Sequence, residues 1–321
     1  QPNHTLAENV AEAQTHQLKY VPSIGVEAGF WWGELLSDVR PVDAFSLVYD
    51  SAPLPSDVAI LGRPHALLRV SATAPLADWF ARLSDVAPDG TVTQITGAGI
   101  NGTQRDSMRD SMIEPHDLEP NKVYPFDIEM HLASWVFPKG HRIRVAISNA
   151  LWPMMLPTPY SMTTSLELGR NDGSRVVLPI VPEHGDAPPA FSPPEPTEER
   201  TDVKSEGFPW PGEWTVERDE ARRKTTVHWK GKEGGQYPWG TETDLESLTY
   251  DVDDAHPETC SVRGEAETVF ALKGRTLTWR GHLLVTTDQK NFYYSYTREV
   301  LKDGAMVKSK TWKETIPRDH Q

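Results

Sequence analysis

The sequence predicts an all-β protein, a jelly-roll β-sandwich followed by a second, mostly antiparallel β domain. Three observations lead there. Apolar and polar residues alternate at period two in run after run, the pattern of strands with one buried and one wet face. Pro, Gly and Asp punctuate those runs at short intervals. The 321 residues also include 27 Pro, and each would remove a donor and clash inside a helix, so helices must be few or short.

Taken in order, residues 1–24 read as a lead-in, with a short helical turn around Ala7 to Gln14. The sandwich is expected over residues 25–185. Its first strand signals are "AFSLVYDS" (Ala44 to Ser51), "HALLRVSA" (His65 to Ala72), "DWFARLSDV" (Asp78 to Val86) and "VTQITGAGI" (Val92 to Ile100), separated by turn residues. The stretch Val123 to Ser148 reads as a β-hairpin. Phe126, Ile128, Met130 and Leu132 share one face, with Asp127, Glu129 and His131 on the other. Ile143, Val145 and Ile147 then alternate with Arg142 and Arg144, which the period assigns to water. Between the two runs, Pro138 pre-sets φ and Gly140 can take the positive φ of a type II turn. Further strands are expected at "TTSLELG" and "SRVVLPIV", flanking the turn "RNDG". Many short strands without long helices suggest two packed sheets.

Residues 186–212 form the clearest boundary. Pro188, Pro189, Pro193, Pro194 and Pro196 force extended backbone, and the surrounding charges keep it solvated. The second domain, 213–321, repeats the β character with longer strands. "EWTVERD" leads through a charged turn into "KTTVHWKG", "ETVFALKGRTLTWRGHLLVTTD" turns at Lys273-Gly274-Arg275, and the last hairpin turns at Asp303-Gly304.

Charge narrows the function classes. A net charge of −14 argues against nucleic acid, which needs a basic stripe, and against docking on an anionic membrane surface. No apolar run approaches the roughly 20 residues of a membrane-spanning helix. The single Cys260 excludes an internal disulfide framework. The N-terminus lacks both an initiator Met and the apolar core of a signal peptide, so a processed or excised fragment is expected. The compartment stays open, with the cytoplasm favoured.

Catalytic equipment is sparse. No Gly is followed two residues later by Ser, so the Gly-x-Ser-x-Gly nucleophile elbow is absent from this sequence. Ser107 and Ser111 sit among Arg and Asp in what reads as a polar loop. None of the 11 His forms an i, i+4 pair, and Cys260 has no second Cys at zinc spacing, so no metal and no cofactor are expected. "DVDDAHPE" lacks the Gly and terminal Glu of a calcium loop and reads as an acidic hairpin connection. Two aromatic clusters remain, "GFWWG" and "NALWPMMLPTPY". Phe30, Trp31, Trp32, Trp152 and Met154 there could line a cleft or interface, or could plug the ends of the sandwich.

The order of motifs carries a resemblance. "VDAFSLVYDSAPL", then "ILGRPHALLRVSATAPLADWFARLSDVAPDGTVTQITGAGI", then "RDSM…EPHDLEPNKVYPFDIEMHLASWVFPKGHRIRVAISNALWP" resembles the C-terminal jelly roll of the X-Pro dipeptidyl-peptidase and cocaine-esterase-like hydrolases. The ending "DGAMVKSKTWKETIPRD" looks like the tail of longer members with an extra C-terminal β domain. The resemblance implies a non-catalytic C-terminal half of a serine hydrolase, inactive alone. Its partner would be an α/β-hydrolase domain carrying a Ser-Asp-His triad, upstream or on a separate chain, acting on a small ester or peptide. None of that triad maps onto these residues, while Trp31, Trp32 and Trp152 are candidate wall residues of the shared cleft. The acidic surface would steer cationic substrates. The alternative is a free-standing jelly-roll binding module, with exposed Trp residues stacking on carbohydrate. The sequence leaves homo-oligomerisation open.

Overall fold

The structure, a computed structural model, describes residues 4–8, 12–28, 37–106, 114–169, 172–182, 192–193, 204–205 and 212–321. The chain divides into two compact units. The first is Gln1–Glu183 with Asp254–Glu258 and Asp319–Gln321; the second is His184–Asp253 with Thr259–Arg318. The expected linker lies largely outside the described residues.

The first unit opens with β1 (His4–Thr5), β2 (Gln14–Lys19), β3 (Leu47–Asp50) and β4 (Val58–Gly62). β5 (His65–Ala72), β6 (Asp78–Val86), β7 (Val92–Asn101) and β8 (Tyr124–Glu129) follow. β9 (Ala133–Phe137), β10 (Arg142–Ser148), β11 (Thr163–Leu168) and β12 (Arg175–Val177) complete it. One sheet runs β1-β3-β10-β6-β7. In the other, β5 is flanked by β8 on one side and by β11 and β12 on the other, and β2 extends β11. A single core joins them. Leu47, Leu83 and Val145 of the first sheet share one buried cluster with Leu68, Phe126 and Leu166 of the second, and Trp79 stands edge-on to Phe126 with centroids 5.0 Å apart. Burying this apolar area is the main term holding the sheets together.

Three sequence expectations change here. Residues 14–19, read as part of the lead-in, form β2, because Leu18 and Tyr20 alternate into the core. The stretch Val123–Ser148, read as one hairpin, holds three strands in three sheets. β8 pairs with β5, β9 with β4, and β10 lies between β3 and β6. The Pro138–Gly140 turn does form, with the His141 N–H donating to the Pro138 carbonyl at 3.0 Å and Gly140 at φ +84°. It redirects the chain between sheets instead of folding it back on itself. Alternation reports which face of a strand is buried, but carries nothing about its partner.

The third change concerns the face assigned to water. β6 is buried at every position and β10 at every position after Arg142. The outer face of this sheet is roofed by a 3-10 turn (Val26–Ala28) and a short helix, α1 (Arg40–Asp43). Ala28, Val39 and Val42 pack there on Val86 and Val92. Beneath the roof lies an ionic network. Arg82 Nη2 donates to Asp43 Oδ1 at 2.8 Å and Arg144 Nη1 to Asp43 Oδ2 at 3.2 Å.

The second unit is one antiparallel sheet. β13 (Lys204–Ser205) and β14 (Glu213–Asp219) both pair with β15 (Lys224–Tyr237). β16 (Gly240–Asp253), β17 (Cys260–Leu272), β18 (Arg275–Thr287), β19 (Asn291–Lys302) and β20 (Ala305–Pro317) then follow as a meander. Direct partners in an antiparallel ladder share a face. One row reads Trp214, Trp229, Leu248, Gly264, Leu283, Tyr296, Trp312 across seven strands. The neighbouring row, Lys230, Ser247, Glu265, His282, Thr297, Thr311, is polar. Gly264 leaves room for its row neighbours, since an added Cβ would lie 3.1 Å from Leu248 and 3.3 Å from Leu283 and oblige them to shift. β20 ends the sheet with Lys308, Lys310 and Lys313 exposed.

Candidate functional site

Of the aromatic residues expected at a cleft or interface, Phe30, Trp31 and Trp32 lie outside the described residues. Trp152 and Met154 belong to the connection 149–162, which carries the chain from β10 in one sheet to β11 in the other. Pro153, Pro157 and Pro159 keep it irregular by removing donors. It is held instead by residues 20–28. The Trp152 N–H donates to the Ile24 carbonyl at 2.7 Å, and the Thr158 N–H to the Tyr20 hydroxyl at 3.0 Å. Gly25 permits the approach. At φ +102° its backbone lies so close to Leu151 that a Cβ would fall 2.8 Å from the Leu151 Cα.

This packing turns Trp152 inward, to 1% exposure, so its indole offers no stacking surface in this chain. Met154 is half-buried, and the exposed apolar group of the loop is its neighbour Met155. Beneath the loop runs a narrow crevice lined by Tyr20, Asp78, Phe80, Asn149 and Leu156. The Asn149 amide donates to the Leu18 carbonyl and the Thr164 hydroxyl, but its own oxygen has no partner. Asp78 Oδ1 is likewise buried and unpartnered, and burial pushes the carboxyl up to about 7. Sequence reasoning passed over Asp78. The available signal was a carboxylate directly before the apolar run "WFA", where a buried charge is costly.

Several other polar groups are tied to one another within the fold. His141 Nδ1 lies 2.8 Å from Asp85 Oδ1, and Trp135 Nε1 donates to Asp85 Oδ2 at 3.1 Å. His65 similarly meets Asp127 at 2.7 Å. Ser107 and Ser111 lie outside the described residues. Cys260 is buried and accepts a bond from the Thr287 hydroxyl, and burial raises its thiol above the ordinary range. "DVDDAHPE" links β16 to β17, with Asp251 tied to Thr226, Ser261 and Arg263. Among the described residues no group of three His, Cys, Asp or Glu is arranged to hold a metal ion. No helix among the described residues is long and apolar enough to cross a membrane.

Fold and site together define an all-β chain whose first unit is a two-sheet sandwich closed at one end by the 149–162 connection. Residues 6–179 match the X-Pro dipeptidyl-peptidase C-terminal non-catalytic domain. The chain belongs to that family. It is 29% identical over 178 residues to the cocaine esterase of Rhodococcus sp. (strain MB1 Bresler), a stretch covering 50% of this chain and 30% of that protein. Among solved structures it is similar to an aminopeptidase from a marine sediment Thaumarchaeota archaeon (TM-score 0.45, 22% identity, 53% of this chain and 33% of the other). An α-amino acid ester hydrolase gives TM-score 0.45 and 22% identity, over 56% of this chain and 34% of the other. The chain thus spans about a third of the length of each of these relatives.

Proposed function

We propose that the chain acts as the non-catalytic C-terminal half of a serine hydrolase of the dipeptidyl-peptidase or esterase class. It packs on an α/β-hydrolase domain, which supplies the nucleophile, and walls part of the substrate cleft. One observation carries this reading: the match to a non-catalytic hydrolase domain, residues 6–179, falls within the first stretch of the sandwich unit, Gln1–Glu183. The absence of a nucleophile elbow from the sequence agrees with it. In this reading Phe30, Trp31, Trp32, Met154 and the exposed Met155 meet the catalytic domain, and the buried Trp152 supports the 149–160 segment.

The test is reconstitution. The chain is assayed alone, and then with a co-expressed α/β-hydrolase domain of the same family, on p-nitrophenyl esters and Xaa-Pro anilides. No turnover by the chain alone, and higher activity of the hydrolase domain in its presence, is the expected result. Turnover by the chain alone that a serine-directed phosphonate abolishes overturns the reading.

A further inference from the structure

The sandwich is not filled at one end. Between β3 and β10 on one side and β5 and β11 on the other lies a cavity of about 550 Å³. Protein interiors are otherwise close-packed, and this volume falls in the range of small-molecule sites, about 300–1,000 Å³. Its apolar lining includes Leu68, Val145, Ile147 and Leu166, and its polar end is made by His4, His16 and Tyr49.

The hydrogen bonds at that end have a definite polarity. His16 Nε2 lies 3.2 Å from Gln14 Oε1, which can only accept, so Nε2 carries the proton. Burial and the neighbouring His4 lower the His16 pKa, which keeps the ring neutral near pH 7. Nδ1 then carries the lone pair, and at 2.9 Å it accepts a hydrogen bond from the Tyr49 hydroxyl. Burial raises the Tyr49 pKa and keeps that proton in place. The Tyr49 oxygen is left as an acceptor on the cavity wall. His4 lies against His16, centroids 4.0 Å apart with the rings tilted by 32°, and closes the polar corner. Glu8 and Glu12 on the rim disfavour an anion, while Arg175 disfavours a cation.

We propose that this cavity is a binding site for a small neutral alcohol or phenol, its apolar body between the sheets and its hydroxyl donating to Tyr49. The site lies within the sandwich and does not depend on a catalytic partner. The probe is 2-naphthol, titrated into the full chain by calorimetry at pH 7, beside 2-methylnaphthalene and 2-naphthoate. Saturable one-to-one binding of 2-naphthol is expected, tighter than either comparison compound. Tyr49→Phe should weaken 2-naphthol about fivefold, the worth of one hydrogen bond, and leave 2-methylnaphthalene unchanged. Leu166→Trp should abolish binding by filling the cavity. Leu68→Phe, a smaller insertion, serves if that variant does not fold. No saturable binding of 2-naphthol overturns the proposal. So does equal affinity for 2-methylnaphthalene, equal affinity of wild type and Tyr49→Phe for 2-naphthol, or binding that survives the filled cavity.

Discussion

Arg144 grips Asp50 with two bonds at once, Nε to Oδ1 at 2.7 Å and Nη2 to Oδ2 at 2.8 Å, beneath a roof of α1 and the preceding 3-10 turn. The same guanidinium reaches Asp43, which Arg82 also holds. Removing one partner of a buried ionic network leaves the others uncompensated, which costs more than the network itself contributes. Arg144→Met should therefore destabilise the sandwich by about 3 kcal/mol. Urea denaturation of the variant beside wild type measures it. A loss below about 1 kcal/mol, the range of exposed pairs, would show that the roof does not isolate the network.

Asp78 gives a pH dependence with a definite sign. Its carboxyl titrates at about 7 in the fold against an ordinary 3.8. A group with a raised folded pKa favours the fold fully below the unfolded value, and that contribution is lost as pH rises through the folded one. The loss should run from about pH 4 to pH 7, at ~1.4 kcal/mol per unit, and level off above. Asp78→Asn should remove this slope, so the variant gains on wild type across the window and holds the gain at pH 8. Unfolding free energies at pH 5, 6, 7 and 8 check it, and parallel curves would contradict the burial argument.

Two glycines with positive φ should respond differently to alanine. Gly25 and Gly140 sit at φ +102° and +84°. At Gly140 an added Cβ meets nothing within 4 Å, whereas at Gly25 it meets the Leu151 backbone at 2.8 Å. Gly140→Ala should cost only the backbone strain, about 1 kcal/mol. Gly25→Ala should cost clearly more, because the 149–155 loop must move. Thermal unfolding of both variants gives the order, and equal shifts would refute it.

Cys260 should resist alkylation. Its thiol is buried and raised by that burial, and the thiolate is the reactive form. Iodoacetamide at pH 7.5 should modify it slowly in the folded chain and fully in urea, as intact-mass measurements will show. Rapid labelling of the native chain would place the thiol at the surface.

Much of this architecture was legible in the sequence, for identifiable reasons. The all-β class followed from period-two runs and proline, and the hairpins of the second unit from their turns. Asp303 and Gly304, both at positive φ, close β19 onto β20 as the Asp-Gly pair implied. Partnership between distant strands was not legible. Nothing local in "FPKGHRIRV" tells that β9 leaves for β4 while β10 enters between β3 and β6. Arg144 was assigned to water because alternation assumes one covered face, and the residues that cover its other face lie about a hundred positions upstream. The same gap hid the crevice and the cavity. Asp78, His16 and Tyr49 are unremarkable as letters and acquire chemistry only from the neighbours that folding brings.

The last strand carries a consequence of its own. Among the described residues, β20 is a 13-residue strand with no partner on its outer side, the kind of edge that can template cross-chain pairing. Lys308, Lys310 and Lys313 are exposed on that strand, so a second copy arriving edge to edge brings like charge close to like. The lysines therefore guard the folded chain against its own β-rich neighbours at high concentration.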